Sequence, residues 1–216
     1  MDAETPKRIF EAVERDKATV DILVNDAGLG FRGKFLDIPI EDHIATLKVN
    51  MGAVVRLTYL FLPGIQRRNF GGILNLASIA GFEPGPLLAV YHATKAFVLS
   101  FTEALHIEMK DTDLHVTALC PGPTDTDFFP KAGMMNTRAF QTAHVMSPQA
   151  VAQVGYDGFM RGDPTVVAGG SNKALVFLRR FMTEKKMAQM NKKFYEDVPP
   201  QKRKRARGEF EQKAKA

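Results

Sequence analysis

A tyrosine and a lysine four residues apart could form the chemical centre of this 216-residue chain. Tyr91 and Lys95 lie in a segment with helical periodicity, so their side chains share one helix face. An ammonium group beside a phenol favours the phenolate and lowers the phenol pKa from about 10 towards neutral pH. Such a phenol can donate a proton to a carbonyl oxygen or accept one from an alcohol. Ser78 follows a short apolar run, and its hydroxyl could bind the same oxygen. These side chains form half of a hydride-transfer site, and the other half must be a hydride carrier, since no side chain supplies hydride.

The segments that must position these residues alternate between short apolar runs and helical patterns. The runs predict strands at residues 20–26, 72–78, 114–120 and 165–168. The helical patterns cover residues 5–15, 41–68, 89–110 and 147–161. Buried strands separated by helices of this length pair in parallel through right-handed crossovers. The sequence therefore predicts an α/β fold, a Rossmann-type doubly wound parallel sheet, with ligands bound at the carboxyl ends of its strands.

Three glycines after the first predicted strand have the spacing of a dinucleotide phosphate loop. Gly28, Gly30 and Gly33 match G-x-G-x-x-G. That loop needs a helix N-terminus opening inside the motif, whereas Pro39 delays the next helix by several residues. The acidic residue expected roughly 20 residues further on is also missing from residues 48–53. The pattern therefore favours another role for these glycines.

The composition excludes several classes of protein. Apolar residues make up 45% and charged residues 25% of the chain, as in a globular domain. The one cysteine, Cys120, excludes a disulfide framework and fits a reducing compartment, so we expect a cytoplasmic protein. The five histidines have no metal-ligand spacing, and no metal site is predicted. The chain shows neither a signal peptide nor an apolar run of about 18–20 residues.

Positive charge is concentrated at the C-terminus. Residues 184–216 contain eleven Lys and Arg against five Asp and Glu, although the whole chain has a net charge of only +5. We therefore divide the chain into a folded domain, residues 1–183, and a basic C-terminal helix and tail, residues 184–216. The run at residues 202–207 has no aromatic interleaving, which favours a solvated tail over a nucleic-acid site. An apolar stripe at residues 173–190 predicts a docked helix, with a weak membrane-surface contact and a dimer contact as open alternatives.

Five ordered motifs resemble the short-chain dehydrogenase/reductase superfamily. They are VNDAG at 24–28, KVNMG at 48–52, LNLASIAGF at 74–82, YHATK at 91–95 and CPGPTDT at 120–126. The resemblance covers residues 5–168 and implies NAD(P)(H)-dependent interconversion of an alcohol and a ketone or aldehyde. It implies that Tyr91 is the general acid/base and that Ser78 orients the substrate carbonyl. Lys95 would lower the pKa of Tyr91 and hold the nicotinamide ribose.

The same resemblance assigns the remaining site residues. Asn50 would hold a water in a proton relay through Lys95. The adenosine side of the cofactor would be lined by Asn25, Ala27 and Gly28, and the nicotinamide by Pro121, Gly122 and Thr126. Asp26 replaces the second asparagine of the family's N-N-A-G motif and adds a carboxylate near the dinucleotide. The implied cofactor is NADP or NAD, with NADP favoured.

The family pattern begins with a segment that does not precede Thr5. Members start with a strand, a glycine-rich turn, a helix and two more strands, together about 60–70 residues that bind the pyrophosphate. We therefore expect an N-terminally truncated enzyme whose first strand has an open edge. The alternative is a non-catalytic half-domain, a fragment or interaction module that cannot bind the dinucleotide.

Expectations for partners come from two further features. Phe and Met residues are concentrated between the third and fourth predicted strands: Phe128, Phe129, Met134, Met135, Phe140, Met146 and Phe159. An apolar substrate lid and ordinary core packing explain them equally well, and we expect an apolar carbonyl or alcohol substrate. The long helices at residues 41–68 and 89–110 have more apolar surface than one sheet face needs, and in the family they form a dimer interface. We therefore expect a homo-oligomer, and no nucleic-acid partner.

Overall fold

A computed structural model describes residues 4–205 and shows one parallel β-sheet flanked by helices. The strands are β1 (Ile22–Asn25), β2 (Gly72–Leu76), β3 (His115–Cys120) and β4 (Thr165–Val167), and they lie in the order β1-β2-β3-β4. Every neighbouring pair is parallel, with Asn25 opposite Asn75 and Leu76 opposite Leu119. The predicted Rossmann-type sheet is confirmed, and its strands are one to three residues shorter than the apolar runs.

Helices pack on both faces of this sheet. They are α1 (Thr5–Arg15), α2 (Ile40–Leu47), α3 (Val54–Arg68), α4 (Ala89–Glu108), α5 (Phe128–Lys131), α6 (Arg138–Gln141), α7 (Pro148–Met160), α8 (Gly170–Leu178) and α9 (Glu184–Phe194). Successive side chains of a strand point to opposite faces. Accordingly, Ile73 packs with Leu105 of α4, whereas Leu74 packs with Val151 of α7. This alternation places α4 and α7 on opposite sides of β2.

The helix at residues 40–68 has an unusual middle. A π-helical segment, Lys48–Ala53, joins α2 to α3, and the buried Asn50 lies within it. By length and composition this helix could cross a membrane. However, one face packs in the core, where Phe61 and Ile65 contact Leu114. Because π-helical turns are rare and occur often at functional sites, this segment points to Asn50.

The first strand forms an edge of the sheet. Within residues 4–205, β1 pairs only with β2. Val24 in the middle of β1 is 54% exposed. The open apolar edge expected from the sequence is therefore present in the described part of the chain.

The C-terminal region differs from the prediction. The helix expected at residues 173–190 is divided into α8 and α9 by the turn Arg179–Phe181. Lys202, Arg203 and Lys204 of the run at residues 202–207 are exposed, whereas Arg205 is half-buried. The backbone N–H groups of Lys204 and Arg205 donate to Oε1 of Gln141 at 2.8 and 3.0 Å, so this part of the run is held against the fold. The buried Gln141 amide can hold this backbone because a side-chain oxygen accepts two hydrogen bonds. Ala206 and Arg207 of the run lie outside the described residues.

Candidate functional site

The carboxyl end of β2 and the first turns of α4 bring Ser78, Tyr91 and Lys95 together. Ser78 begins the 3₁₀ turn Ile79–Phe82, and its Oγ accepts a hydrogen bond of 3.1 Å from the Ala80 N–H. The Ser78 hydroxyl donates to the Pro121 carbonyl at 3.4 Å, and it lies close enough to the Tyr91 phenol to favour the ionised form of that phenol. The structure therefore places the two predicted hydroxyls next to each other at the edge where parallel sheets bind ligands.

Lys95 is buried beside this pair. Its side chain is only 4% exposed, and its Nζ donates to the Leu76 carbonyl at 2.6 Å. Nζ also lies 5.8 Å from the centre of the Tyr91 ring. Burial lowers the pKa of Lys95 to about 8, and the Asp26 carboxylate acts in the opposite direction. Lys95 thus joins the end of β2 to the face of α4 that carries Tyr91.

The phenol of Tyr91 is harder to ionise than the sequence predicts. Burial raises the pKa of Tyr91 to about 12, and the nearby Ser78 hydroxyl opposes this shift. The expected net shift of this pKa towards neutral pH is therefore absent from this structure, because desolvation of the phenolate is the larger effect. At neutral pH the phenol is protonated, which is the form that can donate a proton to a carbonyl oxygen.

Asn50 connects the loop after β1 to α4. Its Oδ1 accepts from the Leu29 N–H at 2.8 Å, and its Nδ2 donates to the Leu29 carbonyl at 2.9 Å and to Thr94 Oγ1 at 2.9 Å. A Cβ on Gly28 would lie 3.6 Å from Lys95 Nζ and 3.8 Å from Asn50 Oδ1. Asn50, Gly28 and Lys95 therefore surround one small space, as the motif order predicts.

Asn25 belongs to a buried polar row that crosses the sheet. Its Nδ2 donates to Asn75 Oδ1 at 2.8 Å, and Asn75 Nδ2 donates to Thr102 Oγ1 at 2.9 Å. The Oδ1 of Asn25 is buried without a protein partner. Sequence reasoning missed Asn75 and Thr102, although an asparagine inside an apolar strand is a signal, since a buried amide needs partners.

The loop after β3 lies at the same edge of the sheet. The Pro121 carbonyl accepts from the Ile79 N–H at 3.0 Å. A Cβ on Gly122 would lie 2.4 Å from Nδ2 of Asn172, so a larger residue there would displace the Asn172 side chain. The Thr126 hydroxyl accepts from the Phe128 N–H at 3.4 Å. Pro121 therefore lies against Ser78 and the turn that follows it, whereas Thr126 bonds the backbone of Phe128, whose ring packs on Tyr91.

The groups at this edge suit the ribose and nicotinamide half of a dinucleotide. Lys95 has three N–H donors and uses one on Leu76, Gly28 leaves space for a ligand atom beside it, and Asn25 Oδ1 is a buried acceptor without a partner. The three glycines do not form a phosphate loop, since α2 begins only at Ile40. Within residues 4–205, no three metal-ligating side chains cluster.

The side chains of the Phe- and Met-rich segment pack in two different places. Phe129, Met134 and Phe140 are buried in a core with Tyr195, which is ordinary packing. Phe128 instead covers Tyr91, with ring centres 5.0 Å apart.

Gly30, in the loop after β1, leaves space for the Phe128 and Tyr91 rings, whereas Phe159, on α7, lies far from them. A Cβ on Gly30 would lie 2.9 Å from the Phe128 ring and 3.0 Å from the Tyr91 ring. Phe159 packs on His115 at the other end of β3. Of these aromatic residues, Phe128 is therefore the one that contacts the site.

Tyr195 is a residue that sequence reasoning missed. Nδ1 of His92 lies 2.8 Å from the Glu83 carbonyl, which can only accept, so Nδ1 carries the proton. Burial lowers the pKa of His92 and keeps the ring neutral, and Nε2 therefore accepts the Tyr195 hydroxyl at 2.8 Å. The Tyr195 carbonyl accepts from Arg32 Nε at 2.7 Å, across 163 sequence positions. No local pattern connects residues so far apart.

Comparisons with known proteins agree with this geometry. The family model described as short chain dehydrogenase matches residues 1–137. The chain is 35% identical over 133 residues to the probable oxidoreductase EphD of Mycobacterium tuberculosis, covering 61% of this chain and 22% of EphD. It is 29% identical over 165 residues to an NADP-dependent 3-hydroxy acid dehydrogenase of Schizosaccharomyces pombe, covering 74% of this chain and 64% of that enzyme. The chain thus spans less than two thirds of either relative.

A solved structure has the same fold. A short-chain dehydrogenase from Sphingobium yanoikuyae in complex with NADPH superposes with a TM-score of 0.69 and 27% identity. The match covers 84% of this chain and 72% of that one.

Proposed function

Because the chain belongs to the short-chain dehydrogenase family, we propose that it carries the catalytic centre of an NAD(P)(H)-dependent oxidoreductase. The reaction is the interconversion of an alcohol and a ketone or aldehyde, with Tyr91 as general acid/base. One observation carries this proposal: the Tyr91 phenol lies close enough to the Ser78 hydroxyl to be influenced by it, and the Tyr91 ring lies 5.8 Å from Nζ of the buried Lys95.

The chain's own residues have distinct roles in the proposed reduction. A carbonyl oxygen between Ser78 and Tyr91 accepts hydrogen bonds from both hydroxyls, which stabilise the charge that develops on it. Tyr91 then donates its proton, and the Lys95 ammonium stabilises the resulting phenolate. Asn50 positions the loop after β1 against α4. When bound, the dinucleotide supplies the hydride.

The proposed cofactor is NADP or NAD, and NADP is preferred. Its support is that the Schizosaccharomyces pombe relative is NADP-dependent and that the Sphingobium yanoikuyae structure is in complex with NADPH. Lys95 would hold the nicotinamide ribose. The nicotinamide would lie against Pro121, Gly122 and Thr126, and Asn25, Ala27 and Gly28 would line the adenosine side.

The proposed substrate is apolar, since Phe128 covers the Tyr91 ring.

We also propose a homo-oligomer that forms through α2–α3 and α4. Exposed apolar side chains on these helices support it: Ile44, Leu47, Val55, Tyr59 and Ile107. The proposed location is the cytoplasm, where a single buried thiol such as Cys120 stays reduced.

A second candidate function is the non-catalytic interaction module. The exposed edge of β1 favours it, because an unpaired parallel edge can bind another strand. The two candidates differ in dinucleotide binding, which the module lacks.

Titration with NADPH and turnover of an aromatic ketone, with and without Tyr91→Phe, test the proposal. The substitution should lower kcat by about 10²–10⁴-fold and leave NADPH affinity nearly unchanged, because only the proton donor is lost. Tyr156→Phe, at an exposed tyrosine of α7, is the matched control and should retain full activity. Wild-type turnover by Tyr91→Phe would contradict the assigned role. A wild-type chain that binds neither NADPH nor NADH would favour the module.

A further inference from the structure

Three apolar side chains protrude where α8 ends. Phe177, Leu178 and Phe181 are 57%, 56% and 77% exposed, and we call them the aromatic patch. The rings of Phe177 and Phe181 pack edge to face with centres 5.7 Å apart, so the patch is contiguous. Exposed apolar side chains that cluster in this way are typical of an interaction surface.

The segment of chain that carries the aromatic patch is strongly basic. Between Gly170 and Phe194 the chain has seven Lys or Arg and a single Glu, Glu184, which forms an ion pair with Arg179 at 3.0 Å. The other basic residues are Lys173, Arg180, Lys185, Lys186, Lys192 and Lys193, and all of them are exposed. The partner of this surface must therefore accept both aromatic rings and a high positive charge.

The aromatic patch lies close to the proposed active site. At the start of α8, Asn172 packs on Gly122 in the loop that follows β3. Burial raises the pKa of Glu83, and Arg179, which lies between Leu178 and Phe181, is near enough to Glu83 to oppose this shift. Asn191 of α9 donates to the Pro84 carbonyl at 2.9 Å. The segment that carries the patch therefore borders the loop between Ser78 and Tyr91.

We propose that the aromatic patch and its lysines dock this protein on an anionic lipid surface, from which an apolar carbonyl or alcohol reaches the site. The substrate part of this inference rests on the proposed function, whereas docking does not. Aromatic rings enter the boundary between headgroups and acyl chains, while the long stems of Lys and Arg place their charges among anionic headgroups. A second copy of the chain fits less well, because it would bring two surfaces of the same positive charge together.

Co-sedimentation of the full chain with lipid vesicles tests the docking. The wild type should bind vesicles that contain phosphatidylserine, bind phosphatidylcholine vesicles far more weakly, and dissociate as salt is raised. Both Phe177→Ser/Phe181→Ser and Lys185→Glu/Lys186→Glu should weaken binding by about tenfold or more. Phe70→Ser is the matched control, since Phe70 is an exposed phenylalanine next to the amino end of β2, and it should bind as the wild type does.

Three results would overturn the docking. They are wild-type binding by Phe177→Ser/Phe181→Ser, no binding of the wild type to either vesicle, and self-association that the same double variant abolishes, which would make a second copy the occupant. Tyr91→Phe separates this proposal from the proposed function, because it should bind vesicles normally without turnover. If the wild type binds vesicles but lacks oxidoreductase activity, docking is supported and the proposed function is refuted. If it turns over substrate but does not bind vesicles, the proposed function is supported and docking is refuted.

Discussion

The hydroxyl of Tyr195 donates a hydrogen bond of 2.8 Å to Nε2 of His92, which lies next to Tyr91 at the start of α4. The backbone carbonyl of Tyr195 accepts from Arg32 at 2.7 Å in the loop after β1. His92 also binds the Glu83 carbonyl in the loop between Ser78 and α4. Tyr195 thus joins the loop after β1 to the start of α4. The segment that follows α9 is therefore part of the scaffold of the candidate site.

Replacement of this hydroxyl tests the scaffold. Tyr195→Phe should lower the free energy of unfolding by about 1–3 kcal/mol, because it leaves Nε2 of His92 buried without a donor. Urea denaturation measures the loss, and Tyr59→Phe, at an exposed tyrosine, is the matched control. The loss should shrink as the pH falls through the pKa of His92, since a protonated imidazole cannot accept the bond. A loss that does not depend on pH would contradict this hydrogen bond.

Gly85 leaves the space that the His92 ring occupies. A Cβ on Gly85 would lie 2.0 Å from Cδ2 of that ring, so His92 would have to move away from Glu83 and Tyr195. Gly85→Ala should therefore destabilise the protein by about 1–3 kcal/mol and lower catalytic activity. At Gly52 nothing lies within 4 Å of an added Cβ, and Gly52→Ala should be neutral or stabilising. Thermal unfolding of the two variants compares them, and equal melting temperatures would argue against a tightly held ring.

Burial of Lys95 predicts a specific pH dependence of stability. Its pKa is about 8 in the fold and 10.5 in the reference state, so between these values the unfolded chain binds the extra proton. Stability from this group therefore rises with pH from about 8, with a slope of up to about 1.4 kcal/mol per pH unit. Lys95→Met should remove this rise. Urea unfolding of the variant and the wild type between pH 8 and 9 measures the difference, since the Cys120 thiol also begins to ionise there in the unfolded chain.

A control variant, Lys110→Met, separates the effect of burying a lysine from the effect of removing its charge. Cys120 and Tyr91, whose pKa values are both raised to about 12, remain in Lys95→Met, and their effects cancel in the difference from the wild type. Lys110→Met makes the same substitution at an exposed position just after α4. If Lys95→Met and the wild type had parallel profiles, Lys95 would have to be accessible to water.

Phe128 limits the space above Tyr91. Phe128→Ala removes the ring that lies 5.0 Å from the Tyr91 ring and should shift the preference of the enzyme towards bulkier ketones. We expect a change of about tenfold or more in the ratio of kcat/KM values for a bulky and a small ketone. Phe97→Ala is a control in the middle of α4, where Phe97 stacks on Phe101, and it should leave the ratio unchanged. An unaltered ratio in Phe128→Ala would exclude Phe128 from the substrate space.

Much of the candidate site could be predicted because it depends on local spacing. Because Tyr91 and Lys95 are four positions apart on a helix, their side chains lie on one face. Because Ser78 follows an apolar strand, it lies at the carboxyl edge of the sheet. Local spacing also bears on the glycines at residues 28–33, because the helix that a phosphate loop needs begins only at Ile40.

By itself the sequence determined the parallel α/β architecture and the meeting of Ser78, Tyr91 and Lys95, because strand and helix periodicity act over a few residues. The family followed from the resemblance of five ordered motifs. Only the tertiary structure decided that Tyr91 is held protonated, that Tyr195 binds His92, and that the predicted C-terminal helix is divided. Desolvation depends on every atom packed around a group, and contacts between distant residues depend on how whole elements meet. Neither quantity is encoded in the spacing of neighbouring residues.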